Sequence, residues 1–123
     1  MSAAQEVIRE HQELVKRLKK PGQAIIDTLS PTSCDLLHMA VGVCGEAGEL
    51  LDAVKKVSVY NKPVDLMNLI EELGDIEFYM EGIRQIYGIT REVTLVRNLE
   101  KLEKRYAIGK YSDQQAQDRA DKK

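Results

Sequence analysis

Aromatic side chains are scarce in this chain, which has no tryptophan and a single phenylalanine among its 123 residues. Aliphatic side chains must therefore fill whatever core the protein forms, and a chain of this length has room for only a modest one. Hydrophobic residues make up 43% and charged residues 31% of the sequence, which is typical of a globular domain. We therefore expect one domain that associates with copies of itself, as a homodimer or a homotetramer.

Cysteine, membrane-length apolar runs and excess charge are also lacking. The only two cysteines, Cys34 and Cys44, form neither a CxxC pair nor a metal quartet, so we expect no disulfide framework and a reducing, cytoplasmic setting. No apolar run reaches the length of a membrane span, and the polar start, Met1 to Glu10, does not resemble a signal peptide. A net charge of −2 argues against binding to a nucleic acid polymer.

Apolar residues recur at helical spacing in four segments, and no alternating strand pattern is present. The segments run from about Ala3 to Lys19, Pro31 to Lys56, Val64 to Tyr87 and Thr90 to Tyr106. Ser30 before Pro31 predicts a helix start, and Gly88 predicts a helix end. The pattern predicts an all-α bundle of four to five helices, with one domain over residues 1–112. Residues 113–123 are polar without an apolar period, so we expect a mobile tail.

Three glycines interrupt the second predicted helix at Gly42, Gly45 and Gly48. Glycine in a helix interior costs about 1 kcal/mol relative to alanine, so three of them call for a reason. We expect close approach by another helix or by a ligand.

Two carboxylate pairs stand out within these helices. Glu46 and Glu49 are three residues apart on the second helix, and after 22 further residues Glu72 and Asp75 repeat the spacing on the third. Residues three apart lie on one helix face, and the short connection from Val57 to Pro63 predicts an antiparallel hairpin that brings both faces together. Carboxylate oxygens suit Mg²⁺ or Mn²⁺, so the spacing predicts a divalent-metal site.

Basic and amide side chains are predicted around this acidic centre. Lys55 and Lys56 follow the first pair, while Asn98, Lys101 and Arg105 share one face of the fourth helix. A polyphosphate bound through metal ions needs this combination, with oxygen ligands for the cations and basic groups for the outer phosphate charge.

Two other interpretations of the carboxylates are less favoured. Glu and Lys at these spacings are common on solvated helix faces, but here both pairs are flanked by aliphatic residues. A di-iron bundle needs Glu-x-x-His pairs, and neither His11 nor His38 follows a Glu at that spacing. His38 would lie about 16 Å from Glu49 along the helix, too far to share a metal ion.

The motifs resemble those of the MazG-like nucleoside triphosphate pyrophosphohydrolases. The match begins with Gly45-Glu46-Ala47-Gly48-Glu49-Leu50, Lys55-Lys56 and Glu71-Glu72-Leu73-Gly74-Asp75, and continues with residues 97–106 and Gly109-Lys110-Tyr111-Ser112. It covers about Leu36 to Ser112. The chain departs from the family pattern at Ala107, where members usually have proline. It departs again at Gly45, where some relatives have an extra Glu that is proposed as the general base.

The resemblance implies hydrolysis of a (deoxy)nucleoside triphosphate between its α and β phosphates. By the same resemblance, the magnesium ligands would be Glu46, Glu49, Glu72 and Asp75. Glu49 or Asp52 would orient the attacking water. Lys56, Lys101 and Arg105 would hold the phosphates, and Asn98 and Tyr79 would meet the sugar or base. For Tyr79, a place in a helix interface is an equal alternative.

Two competing functions stay open on the sequence alone. One is phosphoribosyl-ATP pyrophosphohydrolase, which shares the fold family and the metal chemistry. The other is a non-catalytic helical partner protein whose carboxylates are simply solvated. The stretch Asn98-Leu-Glu-Lys-Leu-Glu-Lys-Arg-Tyr106 favours a role in control of the nucleotide pool.

Overall fold

A computed structural model describes all residues from Met1 to Lys123, and its regular structure is helical throughout. The elements are α1 (Ala3–Leu18), α2 (Gly22–Ile26), α3 (Pro31–Ser58), α4 (Leu66–Ile86), α5 (Arg91–Arg105), α6 (Asp113–Asp118) and a 3₁₀ helix (Ala120–Lys122). The predicted all-α fold class is therefore confirmed. No helix is both long enough and apolar enough to span a bilayer.

The chain divides into two compact units, residues 1–34 and residues 35–123. In the first unit, Ser2 and Gln5 cap α1 reciprocally: the Ser2 hydroxyl accepts from the Gln5 amide at 3.2 Å, and the Gln5 side chain accepts from the Ser2 amide at 2.7 Å. The second unit carries every residue of the predicted site. The expectation of one domain over residues 1–112 stays a prediction.

Local capping accounts for the ends of the long helices. The Ser30 hydroxyl accepts from the Ser33 amide at 3.1 Å, with Pro31 at the first position of α3, as predicted. Asp65 caps α4 by accepting from the Asn68 amide at 3.0 Å, so α4 begins two residues later than the predicted Val64. At its other end Gly88 has a φ of 63°, and the Ile89 amide donates to the Arg84 carbonyl, which closes a Schellman turn.

Helices α3 and α4 form an antiparallel pair that approaches closely at two glycines. The ring of Tyr79 lies directly over Gly42, and the side chain of Met39 lies over Gly82. The prediction of close approach is thus confirmed for Gly42. Gly45 and Gly48 differ, because a Cβ added at either would meet nothing within 4 Å.

A cluster of charged side chains joins the end of α4 to the start of α5. Arg84 is the most buried residue of the chain, with 8% of its surface exposed, and its Nε donates to the Glu81 carboxylate at 2.8 Å. That bond is the main reason that the pKa of Glu81 is lowered. Glu77 lies 3.7 Å from both Arg84 and Arg91. Thr90 caps α5 by accepting from the Val93 amide at 3.1 Å.

The C-terminal segment, for which the sequence predicted a mobile polar tail, is helical in the structure. The Ser112 hydroxyl caps α6 by accepting from the Gln115 amide. Arg105 of α5 forms a two-pronged ion pair with Asp121, with Nε to Oδ1 at 2.7 Å and a terminal nitrogen to Oδ2 at 3.0 Å. The contact that anchors this segment is ionic, so no apolar period in the sequence indicates it.

Candidate active site

The four motif carboxylates lie on two helices, Glu46 and Glu49 on α3 and Glu72 and Asp75 on α4. Glu46, Glu72 and Asp75 each place one carboxylate oxygen within 4.8 Å of the others. Glu46 and Glu72 are half-buried and Asp75 is exposed. The tertiary structure therefore brings three of the four predicted metal ligands into one group, which we call the carboxylate cluster.

Glu72 lies at the electrostatic centre of the carboxylate cluster. Its Oε2 is buried and has no hydrogen-bond partner in the protein. Loss of hydration raises the pKa of Glu72 above its ordinary value, and the negative charges of Glu46, Asp75 and Glu49 raise it further. A buried carboxylate oxygen without a donor is unfavourable unless a cation meets it, so this group fits a divalent ion.

Glu49 and Asp52 lie one and two turns beyond Glu46 on α3, and both are exposed. Glu49 does not belong to the carboxylate cluster, although its negative charge helps to raise the pKa of Glu72. The role of Glu49 as the fourth metal ligand stays a prediction, and so does the role of Glu49 or Asp52 in orienting the attacking water.

A cavity of about 360 Å³ lies at the end of the α3–α4 pair where the connecting segment returns. Its lining includes Lys56 and Asn68, which continue the faces that carry the motif carboxylates. It also includes Lys62 and Asp65, for which the sequence predicted no role in the site. Asp65 was detectable as a polar residue just before an apolar run. Nothing in the sequence around Lys62 indicates a role in the site, because Lys62 reaches the cavity only through the course of the segment that connects α3 to α4.

Tyr79 is half-buried between α3 and α4. Besides lying over Gly42, its ring meets that of His38 edge-on, with 6.4 Å between centroids. The residue thus occupies the helix interface, and a contact with the sugar or base stays a prediction.

The predicted substrate-binding face of α5 has different neighbours from those of the carboxylate cluster. This helix packs against α6 and the 3₁₀ helix. Asn98 and Lys101 are exposed, while the Arg105 side chain is 15% exposed and paired with an Asp121 side chain that is 2% exposed. No hydrogen bond or ion pair joins these three residues to the carboxylate cluster. Arg105 therefore holds the C-terminal segment, a role that the sequence did not indicate.

We expect Arg105→Ala and Asp121→Ala each to lower the melting temperature by several degrees, because each leaves its partner's charge unpaired in a poorly hydrated place. The pairing holds the pKa of Asp121 well below its ordinary value, so its stabilising effect is present at neutral pH and is lost as the pH falls below the usual aspartate range. Thermal melts across pH measure this. Exposed Lys101→Ala is the matched control, and equal melting temperatures for all three variants would contradict the assignment.

The fold and the cluster define a class: an all-α protein with a carboxylate site suited to a divalent cation. A family model, the MazG nucleotide pyrophosphohydrolase domain, matches residues 35–107, which is more than half of the chain. The chain belongs to this family, and the predicted resemblance is confirmed. No curated protein and no solved structure matches the chain. The matched range holds both carboxylate pairs and all of α5 but leaves out α1, α2 and the C-terminal segment.

Proposed function

We propose that this protein hydrolyses a (deoxy)nucleoside triphosphate between the α and β phosphates, releasing a nucleoside monophosphate and pyrophosphate, with Mg²⁺ or Mn²⁺ as cofactor. Such an activity would serve control of the nucleotide pool. The proposal rests on one observation: a buried oxygen of Glu72 has no hydrogen-bond partner, and Glu72 is grouped with Glu46 and Asp75 in a nucleotide pyrophosphohydrolase domain.

Glu46, Glu72 and Asp75 would hold the metal, and Glu49 would join them from the next turn of α3. The donor set supports this assignment, because all four side chains offer hard oxygen ligands and none offers sulfur or nitrogen. A divalent ion, once bound, polarises phosphate oxygens and lowers the pKa of a coordinated water. Because the pKa of Glu72 is raised without metal, a proton competes with the ion there, and metal affinity should rise with pH.

Glu49 or Asp52 would orient the attacking water and accept its proton. Both are exposed carboxylates, so water reaches them, and they lie on the same helix as Glu46. Proton acceptance by a placed carboxylate typically contributes 10²- to 10⁴-fold to the rate.

Basic side chains would bind the phosphates that the metal leaves uncompensated. Lys56 lies at the cavity beyond the carboxylate cluster, and Lys101 is exposed on α5. Arg105 could join them only by exchanging the carboxylate of Asp121 for a phosphate, since its Nε and one terminal nitrogen already donate to Asp121. Asn98 and Tyr79 are the residues we propose for the sugar or base.

Release of pyrophosphate tests the proposal directly. Purified protein is incubated with each common ribo- and deoxyribonucleoside triphosphate and with phosphoribosyl-ATP, in Mg²⁺ and separately in EDTA. We expect equal amounts of monophosphate and pyrophosphate from at least one nucleoside triphosphate, and none in EDTA. Turnover of phosphoribosyl-ATP and of no nucleoside triphosphate would identify the protein as a phosphoribosyl-ATP pyrophosphohydrolase. No turnover of any compound would favour a non-catalytic partner protein.

A further inference from the structure

The carboxylate of Asp121 lies between two guanidinium groups that come from different parts of the chain. Arg105 of α5 donates to both carboxylate oxygens, at 2.7 Å and 3.0 Å, and the Nε of Arg119 lies 3.7 Å from Oδ1. The Asp121 side chain is only 2% exposed, so these two groups replace most of its hydration. Arg105 and Arg119, which we call the guanidinium pair, thus form an anion-binding site that the chain fills with a side chain of its own.

A phosphate group fits the same site. The guanidinium fork matches two oxygens of a phosphate as well as two oxygens of a carboxylate, and a terminal phosphate carries about two negative charges against one. The Asp121 carboxylate has one advantage, since its tether gives it a local concentration in about the millimolar range. A free anion must exceed that concentration to displace it. A polyphosphate that a metal ion anchors through another of its phosphates escapes this limit, because its outer phosphates are then tethered too.

The C-terminal segment, residues 113–123, is poised for release from α5. Its regular structure consists only of the six residues of α6 and the three of the 3₁₀ helix. Arg119 joins these elements with a φ of 51°, a left-handed conformation that is unfavourable for a residue with a side chain. The Oε1 atom of Gln115 is buried without a hydrogen-bond partner, which is also unfavourable. Release of the segment relieves both penalties, which oppose the ion pair that holds it.

We propose that the C-terminal segment is a strap: Asp121 holds it over the guanidinium pair, and the outer phosphates of a bound nucleoside triphosphate displace it. The inference rests on the proposed function, which supplies the polyphosphate and the metal ion that anchors it. It adds Arg119 to the residues that contact the phosphates, a position for which the sequence predicted no role. The strap lies outside residues 35–107, the range that the family model matches, so the matched domain alone does not account for it.

Hydrogen exchange tests the displacement without any turnover. The wild type is incubated with inorganic tripolyphosphate and Mg²⁺, and exchange of the backbone amides in residues 113–123 is followed by mass spectrometry. If about 1–10% of the molecules are open without ligand, these amides should exchange about 10- to 100-fold faster at saturation, while those of α1 stay unchanged. Sodium chloride at equal ionic strength is the control, since it screens the ion pair without replacing the carboxylate. Unchanged exchange with tripolyphosphate, or the same increase with sodium chloride, would overturn the strap.

Steady-state kinetics of Asp121→Asn test the strap during hydrolysis. The substitution keeps the size of the side chain but removes the charge that the guanidinium pair holds, so the strap should release. A variant that is always open should bind substrate about 10- to 100-fold more tightly than a wild type of which about 1–10% is open, so KM should fall by that factor while kcat changes little. Asp118→Asn is the matched control, because the exposed Asp118 carboxylate accepts from Gln114 within α6 and should behave like the wild type. Circular dichroism checks that both variants stay helical.

A second substitution in the released variant isolates Arg119. Adding Arg119→Gln to Asp121→Asn should raise KM again by about 10- to 100-fold, the loss expected for a hydrogen bond to a charged group. A KM that stays low would remove Arg119 from the site. If the wild type hydrolyses triphosphates and Asp121→Asn leaves KM unchanged or raises it, the strap is wrong and the proposed function stands. If no triphosphate is hydrolysed, the proposed function fails, and the exchange experiment alone decides whether a polyphosphate displaces the strap.

Discussion

Glu72→Gln and Asp75→Asn should each abolish pyrophosphate release while leaving the helical fold intact. Both substitutions keep the size of the side chain and remove one anionic ligand. Loss of an outer-shell partner alone typically costs 10- to 100-fold, so loss of a direct ligand should cost more than about 100-fold. Steady-state assays with excess Mg²⁺ measure the activity, and circular dichroism with thermal melts reports the fold.

Without metal, Glu72→Gln should be at least as stable as the wild type at neutral pH. The pKa of Glu72 is raised, so the metal-free wild type loses stability as the pH climbs through the ordinary glutamate value and past the raised one, and a neutral Gln escapes this loss. Glu71→Gln is the matched control, because Glu71 is the exposed neighbour outside the cluster and should retain activity. Wild-type turnover in Glu72→Gln would contradict the metal site, and gross unfolding would show that the carboxylate is structural.

Gly42→Ala should destabilise the protein, although alanine is the better helix former. The new methyl group would collide with the ring of Tyr79, which cannot swing aside at its base, and such overpacking costs about 1–3 kcal/mol. Gly45→Ala, one turn further along, meets no atom and should gain up to about 1 kcal/mol from helix propensity. Chemical denaturation of both variants gives the two changes in the free energy of unfolding.

Gly82→Ala completes this series. The atoms over Gly82 belong to the flexible thioether end of Met39, which can move away, so the loss should be smaller than at Gly42. An equal gain in stability for all three variants would mean that α3 and α4 do not approach as closely as the structure shows.

The helix ends and the pairing of carboxylates could be predicted because both depend on neighbours in the chain. Ser30 and Thr90 reach backbone amides three residues away, and Gly88 needs only its own positive φ. The carboxylates follow from the helical period and the short connection between the two helices. Three of the four form one group in the structure.

Contacts between distant residues could not be predicted in the same way. Arg105 and Asp121 are 16 residues apart, and nothing in either neighbourhood distinguishes them from other charged residues on helix surfaces. The burial of Arg84 follows from where α4 and α5 meet, since its neighbours Glu77, Glu81 and Arg91 are ordinary in sequence. Lys62 reaches a cavity only because the chain turns back there.

The sequence by itself determined the all-α class, the approximate limits of the four long helices and the spacing of the carboxylates along them, because caps and periods act over one turn of backbone. Gly42, Gly45 and Gly48 are equivalent in sequence, and only the tertiary structure decided that Tyr79 covers the first of them. The tertiary structure likewise decided that an oxygen of Glu72 is buried away from water. The hydration of a side chain and its close contacts depend on which helices pack against it. That packing is set by the whole chain.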